Sequence, residues 1–286
     1  MRLAVTERPA AEAGAWPDAF ARDGFAVLEG FYDVEREVEP IRRGIHDVIG
    51  LVAADNGIEL DRAPYAPESF DDGYLHLKDH DRALAGVVYD AVKQLAPFVR
   101  LVASAANEAL FARLRGTDLV GVAGGGSGIR IDNPGEDRYR AWWHQEYPAQ
   151  FRSLDGLVLW SPLRPVTSAL GPVEIAVGSH REGLRRVVRD ERDGRAGAYA
   201  LRLADEADVV ERHRVAAPLA QPGDLVVLDF LTVHRSGKNL AAVPRWTMQF
   251  RYFNLREATG RAIGWAGSFA AGRAIADVHP ELEVPR

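Results

Sequence analysis

The stretch RWTMQFRYFN (245–254) alternates strictly along its length. In an extended chain Trp246, Met248, Phe250 and Tyr252 fall on one face, and Arg245, Thr247, Gln249, Arg251 and Phe253 on the other. Two placements are open to such a strand. On an exposed sheet the polar face meets solvent. In a barrel the aromatic face packs on covering helices and the polar face lines a cavity. In the second case Arg245 is held rigidly, and a rigid guanidinium binds a carboxylate through two parallel hydrogen bonds.

Upstream of this stretch the pattern repeats in short pieces. DLVGVA (118–123), GIRID (128–132), AWWHQEY (141–147), GLVLWSPL (156–163), PVEIAVGSH (172–180), DVVERHRV (208–215) and DLVVLDF (224–230) are separated by Gly, Pro and Asp turn signals. Many short strands at fairly even spacing predict an antiparallel barrel or jelly roll. The first third reads differently. GFAVLEGF (24–31) is a short strand, and Asp33 then caps a helix through residue 55, with Val38, Ile41, Ile45, Val48 and Ile49 at helical spacing. Two further helices are predicted over 82–92 and 97–114, with a loop over 62–76. The fold class is mainly β with flanking helices: an N-terminal helical layer over about 1–115 and a jelly-roll core over about 116–256. With no linker between the two parts, residues 1–286 read as one domain.

Composition narrows the function. The 286 residues are 47% hydrophobic and 27% charged, which is ordinary for a globular chain. Thirty-five basic against 41 acidic side chains give a net charge of −6, the wrong sign for a nucleic-acid partner. The absence of cysteine removes disulfides, iron–sulfur clusters, thiolate zinc sites and a cysteine nucleophile, so a metal must be held by His, Asp or Glu. The N-terminal MRLAVTERPAAEAGAW lacks the apolar run of a signal peptide, and no segment approaches the roughly 20 apolar residues of a membrane span. These features lead us to expect a cytoplasmic protein, and the exposed edges of a jelly roll allow either a monomer or a homodimer.

Four stretches could carry chemistry. GVAGGGSGIR (121–130) lacks both the GK[ST] of a P-loop and the helix context of a dinucleotide site, so it reads as a loop between strands. In WWHQEYP (142–148) a strand would put Trp142, His144 and Glu146 on one face. That makes a two-donor metal platform or, equally, a structural pair. The apolar LVVLDFLTVHRSGKN (225–239) ends its strand at His234, which is either a core histidine or a third metal donor. Two imidazoles and one carboxylate on one face leave the opposite positions of a metal open, as oxygen-activating iron requires. Arg245 follows eleven residues after His234.

In order along the chain, DGFAVLEGFYD, RIDNPG, WWHQE, LWSPL, GPVEIAVGSHREG, PGDLVVLDF and HRSGKN with its downstream Arg245 resemble the phytanoyl-CoA dioxygenase family of Fe(II)- and 2-oxoglutarate-dependent oxygenases. The resemblance implies a double-stranded β-helix, the cupin-like form of the jelly roll. It implies Fe(II) bound by His144, Glu146 and His234, with 2-oxoglutarate and O2 as cosubstrates. Ser236 and Arg245 would hold the distal carboxylate of 2-oxoglutarate. The implied reaction is hydroxylation of an unactivated carbon in a small metabolite or biosynthetic intermediate. Relatives that halogenate place a halide where Glu146 stands here, which favours hydroxylation. Two departures stand out: the metal carboxylate is more often Asp in the family, and the usual Pro-Gly-Ser-His reads Val177 to His180.

Trp142, Arg130, His180 and Arg251 are candidates for substrate contact, each with a packing, turn or surface role as its alternative. His76 and His80 in LHLKDH (75–80) have no evident third ligand. Two other classes remain open: a cupin-like metalloenzyme that does not use 2-oxoglutarate, and a non-catalytic jelly-roll ligand-binding protein.

Overall fold

Apolar residues at helical spacing build the first third of the chain. The computed structural model describes residues 16–190, 200–267 and 274–284. Helices run over Trp16–Asp23 (α1), Glu39–Asp55 (α2), Tyr74–His80 (α3), Arg82–Val92 (α4), Ala96–Val102 (α5) and Ala105–Arg115 (α6). Asp33 does act as a cap, accepting from the Arg36 amide at the head of a π-type turn, Val34–Val38, that leads into α2. The predicted helix over 97–114 is two helices. Ser104 breaks it because its hydroxyl accepts from the Asn107 amide and starts α6 afresh. The predicted loop over 62–76 ends in α3, which also carries His76 and His80. Most of the N-terminal segment read above, residues 1–15, lies outside the described residues. Among the described residues no single helix is long and apolar enough to cross a membrane.

The strands are Phe25–Leu28 (β1), Val120–Val122 (β2), Gly128–Asp132 (β3), Gly156–Pro162 (β4), Val173–Ala176 (β5), Val187–Arg189 (β6), Leu201–Leu203 (β7), Val215–Ala216 (β8), Leu225–Asp229 (β9), His234–Ser236 (β10) and Arg245–Asn254 (β11). A six-stranded sheet follows the order β1-β9-β4-β11-β2, with β3 also paired to β11. A three-stranded sheet has the order β10-β5-β8, and β6 pairs with β7. The pairings between named strands are antiparallel. Two stretches read as strands behave otherwise. DVVERHRV forms a helix over Glu206–Arg212 (α8) before the short β8, with only Val209 of that helix buried and Arg212 paired to Asp208 one turn back. AWWHQEY makes a single bridge at His144 and then enters a short helix, Tyr147–Gln150 (α7), with a proline in its first turn. Two more short helices, Ala258–Ala262 (α9) and Ile275–Val278 (α10), follow β11.

Strand β11 settles which way its faces point. It pairs with β4 along one edge, while β3 and β2 share the other. Its aromatic face lies under the helices: Phe250 stacks on Phe98 of α5 with centroids 5.6 Å apart, and Trp246 meets Phe70 and Tyr74 edge to face. The Trp246 indole donates to Asp71 Oδ2 at 2.8 Å, and the Tyr252 hydroxyl donates to the Val102 carbonyl at 2.6 Å. The polar face therefore turns inward, as the barrel placement requires. A second apolar cluster joins Val158, Trp160, Val226 and Leu228 of the large sheet to Val173, Ile175, Val215 and Val233 on the opposite side. Burying each such side chain contributes roughly 1.5–3 kcal/mol.

Trp246 links the layers by packing and by its bond to Asp71, so Trp246→Ala is expected to cost about 3–5 kcal/mol. Denaturant unfolding measures this, and a loss under about 1 kcal/mol would show that β11 is not held by its helical cover.

Candidate metal centre

The two histidines meet because two chain segments are laced together. His144 N donates to His234 O at 2.9 Å, and His234 N donates back to His144 O at 3.0 Å. Two residues on, Glu146 N donates to Phe230 O at 2.9 Å, so the H-x-E segment is tied at both ends to the turn between β9 and β10. That turn is itself restrained. The Asp229 carboxylate accepts from the Leu231 amide and from Arg115, and the Val233 amide donates to Ser179 Oγ. The apolar run of β9 thus delivers His234 to a set place, and the bridge brings His144 beside it, ring centroids 4.3 Å apart.

Each imidazole is turned by its own backbone. His144 Nδ1 lies 2.7 Å from the Trp142 carbonyl, and His234 Nδ1 lies 2.9 Å from the Thr232 carbonyl. A carbonyl only accepts, so both Nδ1 atoms carry the proton and both Nε2 atoms keep a lone pair. Those lone-pair atoms converge on one carboxylate oxygen: Glu146 Oε2 is 3.9 Å from His144 Nε2 and 3.7 Å from His234 Nε2. The three donors lie within 4.8 Å of one another and form the only His/Asp/Glu group of this kind among the described residues. His76 and His80 are not drawn into such a group.

The electrostatics suit a cation. Burial and the neighbouring His144 push His234 down to about 3, with Glu146 opposing. Burial likewise lowers His144. Burial pushes Glu146 upward, but Arg251 and the two imidazoles outweigh it and hold the carboxyl at about 2. At neutral pH the donors are two neutral imidazoles and one carboxylate, the set that a divalent metal takes up.

Behind the triad the polar face of β11 lines a cavity of about 310 Å3. Arg245 is 2% exposed. Its Nη2 donates to Asp132 Oδ2 at 2.7 Å, and its Nη1 donates to the carbonyls of Leu170 and Gly237 at 3.3 and 3.5 Å. Gly237 itself lies against the Gly171–Pro172 backbone, where a Cβ would overlap the Pro172 carbonyl. The Arg245 Nε is buried without a hydrogen-bond partner among the described residues. An unused donor on a buried cation beside the cavity fits an incoming carboxylate. Ser236 of β10 also lines the cavity.

The other candidates sort themselves. Trp142 walls the cavity and carries the Arg202 guanidinium 3.7 Å above its ring. Arg130 lines the cavity too, but its Nε and Nη2 donate to Asp132. Arg130 and Arg245 outweigh the effect of burial and hold that carboxyl at about 2. Arg251, a candidate for substrate contact with a surface role as its alternative, lines the cavity and donates to Glu146 Oε1 at 2.7 Å. His180 lies away from the cavity wall, in keeping with the turn role that was its alternative: its ring packs beside Gly24 and Thr232, with Nε2 3.2 Å from the Ala21 carbonyl. Arg202 and Lys93 also stand on the wall, and Asp132 partners Arg245, although no motif in the sequence marks any of the three. Only the β3–β11 register, which sets Asp132 opposite Arg245, exposes that last pair.

Residues 20–247 match the model of the phytanoyl-CoA dioxygenase (PhyH) family. The chain belongs to the phytanoyl-CoA dioxygenase family. A curated relative, the 1-deoxypentalenic acid 11-beta-hydroxylase of Streptomyces exfoliatus, is 31% identical over 85 residues; the match spans 30% of this chain and 30% of that relative's length. Among solved structures, EctD from S. alaskensis, with bound Fe in one structure, has 20% identity and a TM-score of 0.53 over 88% of this chain and 80% of its own. AviO1 from Streptomyces viridochromogenes Tue57 has 18% identity and a TM-score of 0.56 over 88% of this chain and 99% of its own. At these identities the likeness is one of fold.

A stability profile checks the protonation states. His234 is neutral in the fold down to about 3, whereas an unfolded histidine takes up its proton near 6.5. Between those values the unfolded chain binds more protons, so the metal-free protein loses stability as pH falls through that window. Glu146 acts in the same direction lower down, from about 4.5 towards 2. His234→Gln is expected to lessen the decline between pH 6.5 and 4.5, read from denaturant midpoints. An unchanged slope would contradict this protonation scheme.

Proposed function

We propose that this chain is an Fe(II)- and 2-oxoglutarate-dependent oxygenase that hydroxylates an unactivated carbon of a small metabolite or biosynthetic intermediate. His144, Glu146 and His234 would hold the iron, and Arg245 with Ser236 the distal carboxylate of 2-oxoglutarate. The observation that carries this is the convergence of two Nε2 lone pairs and Glu146 Oε2 beside a cavity backed by a buried arginine with an unpartnered Nε. Family membership supports it, and so does the name of the Streptomyces exfoliatus relative, a 1-deoxypentalenic acid hydroxylase. The arrangement of a large antiparallel sheet facing a small one supports reading the β core as a double-stranded β-helix, with helices and core as one catalytic unit.

Iron, 2-oxoglutarate and dioxygen together supply the oxidising power, 2-oxoglutarate leaving as succinate and carbon dioxide. The chain's own residues do the rest. Trp142 O and Thr232 O keep the two imidazoles in the tautomer that presents Nε2. Asp132 orients Arg245, so the carboxylate it receives meets a guanidinium already in place. Val158, Trp160 and Leu228 give the cavity an apolar wall that excludes water, and Trp142 with Arg202 forms another side. Glu146 occupies the position a halide would need, which supports hydroxylation over halogenation.

Anaerobic titration with Fe(II) and then 2-oxoglutarate is expected to give the weak visible charge-transfer band of the chelate. His144→Ala should abolish it. Arg245→Ala should raise the 2-oxoglutarate needed by about 10- to 100-fold, the loss of charge-assisted hydrogen bonds worth roughly 1.5–3 kcal/mol. Iron binding without a band would favour a metalloenzyme that does not use 2-oxoglutarate. No metal binding would favour a ligand-binding protein.

A further inference from the structure

Glutamate has one more torsion than aspartate, so a free Glu146 carboxylate would sample several presentations to a metal. In this fold it is not free. We propose that Arg251 is a positioning residue that holds Glu146 so that a single oxygen faces the metal, and that the Gly124–Gly126 turn serves to hold Arg251. The inference rests on the metal site proposed above and adds a device to it.

The clamp is continuous from turn to ligand. Arg251 Nε donates to Glu146 Oε1 at 2.7 Å, while Oε2 is the oxygen that faces the two Nε2 atoms. The guanidinium is gripped from behind: Nη1 donates to the Gly126 carbonyl at 2.7 Å, and Nη2 donates to Gln249 Oε1 at 2.8 Å. Gln249 sits two residues earlier on the same face of β11, so the strand supplies both the arginine and one of its anchors.

The turn is strapped to the same residue. The Ala123 amide donates to the Arg251 carbonyl at 2.8 Å, and the Arg251 amide donates to Ser127 Oγ at 3.3 Å. The Gly126 amide closes the turn onto Ala123 O at 2.9 Å. A Cβ at Gly126 would displace the end of the Gln150 side chain and lie 3.2 Å from Ala123 Cβ, so glycine fits this turn with the least rearrangement. The Gly-rich stretch, a plain loop by its sequence, thereby acquires a task. Each guanidinium nitrogen of Arg251 has a partner within 2.8 Å, and Nε spends its proton on Glu146, so the role assigned to it is exerted through that carboxylate. The consequence is chemical. A carboxylate that gives one oxygen leaves three positions of an octahedral metal for a two-atom chelate and a third ligand.

Co(II) serves as the probe, because its visible absorption reports coordination number, with affinity read by competition against a chelating dye. Arg251→Gln is expected to weaken Co(II) binding about 10- to 100-fold and to change the cobalt spectrum as the carboxylate turns. Arg251→Lys should recover part of the affinity but not the parent spectrum, since an ammonium lacks the guanidinium fork. Gln249→Ala should shift both readouts in the same direction by less. If Arg251→Gln does not fold, these two variants carry the test. Parent affinity and spectrum in the Arg251 and Gln249 variants, with Co(II) binding lost in His144→Ala, would overturn the inference alone. Parent behaviour in His144→Ala as well would overturn the metal site beneath it.

Discussion

Two backbone hydrogen bonds between His144 and His234 bring together segments that lie 90 residues apart in the chain. The rest of the centre depends on them. Side chains alone would not hold two neutral, largely buried imidazoles 4.3 Å apart, because nothing in their mutual interaction favours that approach. The bridge does so through the backbone, which has few other ways to satisfy buried N–H and C=O groups there. Once the bridge is made, Glu146 follows, its own amide tied to Phe230 O. The carbonyls of Trp142 and Thr232 then set both ring tautomers. Metal-ready geometry is therefore a property of the sheet before any metal arrives.

The centre carries more buried charge than a hydrophobic core of its size would tolerate. Glu146 pairs with Arg251, and Asp132 pairs with both Arg130 and Arg245. Taking such groups out of water costs several kcal/mol per ion, and pairing returns only part of it. The arrangement makes sense as preorganisation. Each guanidinium is aimed before a ligand comes, so little ordering remains for the bound state. The aromatic face of β11 supplies the compensating burial on the side away from the cavity, where Trp246, Phe250 and Tyr252 lie under the helices. One strand thus divides the two tasks between its faces.

Much of this was legible in the sequence where a side-chain period met a distinctive residue. The alternation of 245–254 separated an aromatic from a polar face but left open which one turns inward, and the ordered H-x-E, His234 and Arg245 carried the family resemblance that implies the donors. The helix read over 82–92 stands with those bounds. Legibility failed where partners come from far along the chain. The β3–β11 register that pairs Asp132 with Arg245, and the placement of Arg251 on Glu146, depend on how strands align, which no local pattern encodes. The break at Ser104 and the helix at Glu206–Arg212 were missed for a different reason. A capping hydroxyl and a charged one-turn pair outweighed weak apolar patterns in short segments.

The most direct test of the central claim is an anaerobic crystal structure with Fe(II) and 2-oxoglutarate, with the metal located by anomalous scattering at the iron edge. The account predicts iron bound by His144 Nε2, His234 Nε2 and Glu146 Oε2, with Oε1 still on Arg251 and the distal carboxylate of 2-oxoglutarate on Arg245. Iron at another place, or a Glu146 carboxylate turned away from it, would contradict the account.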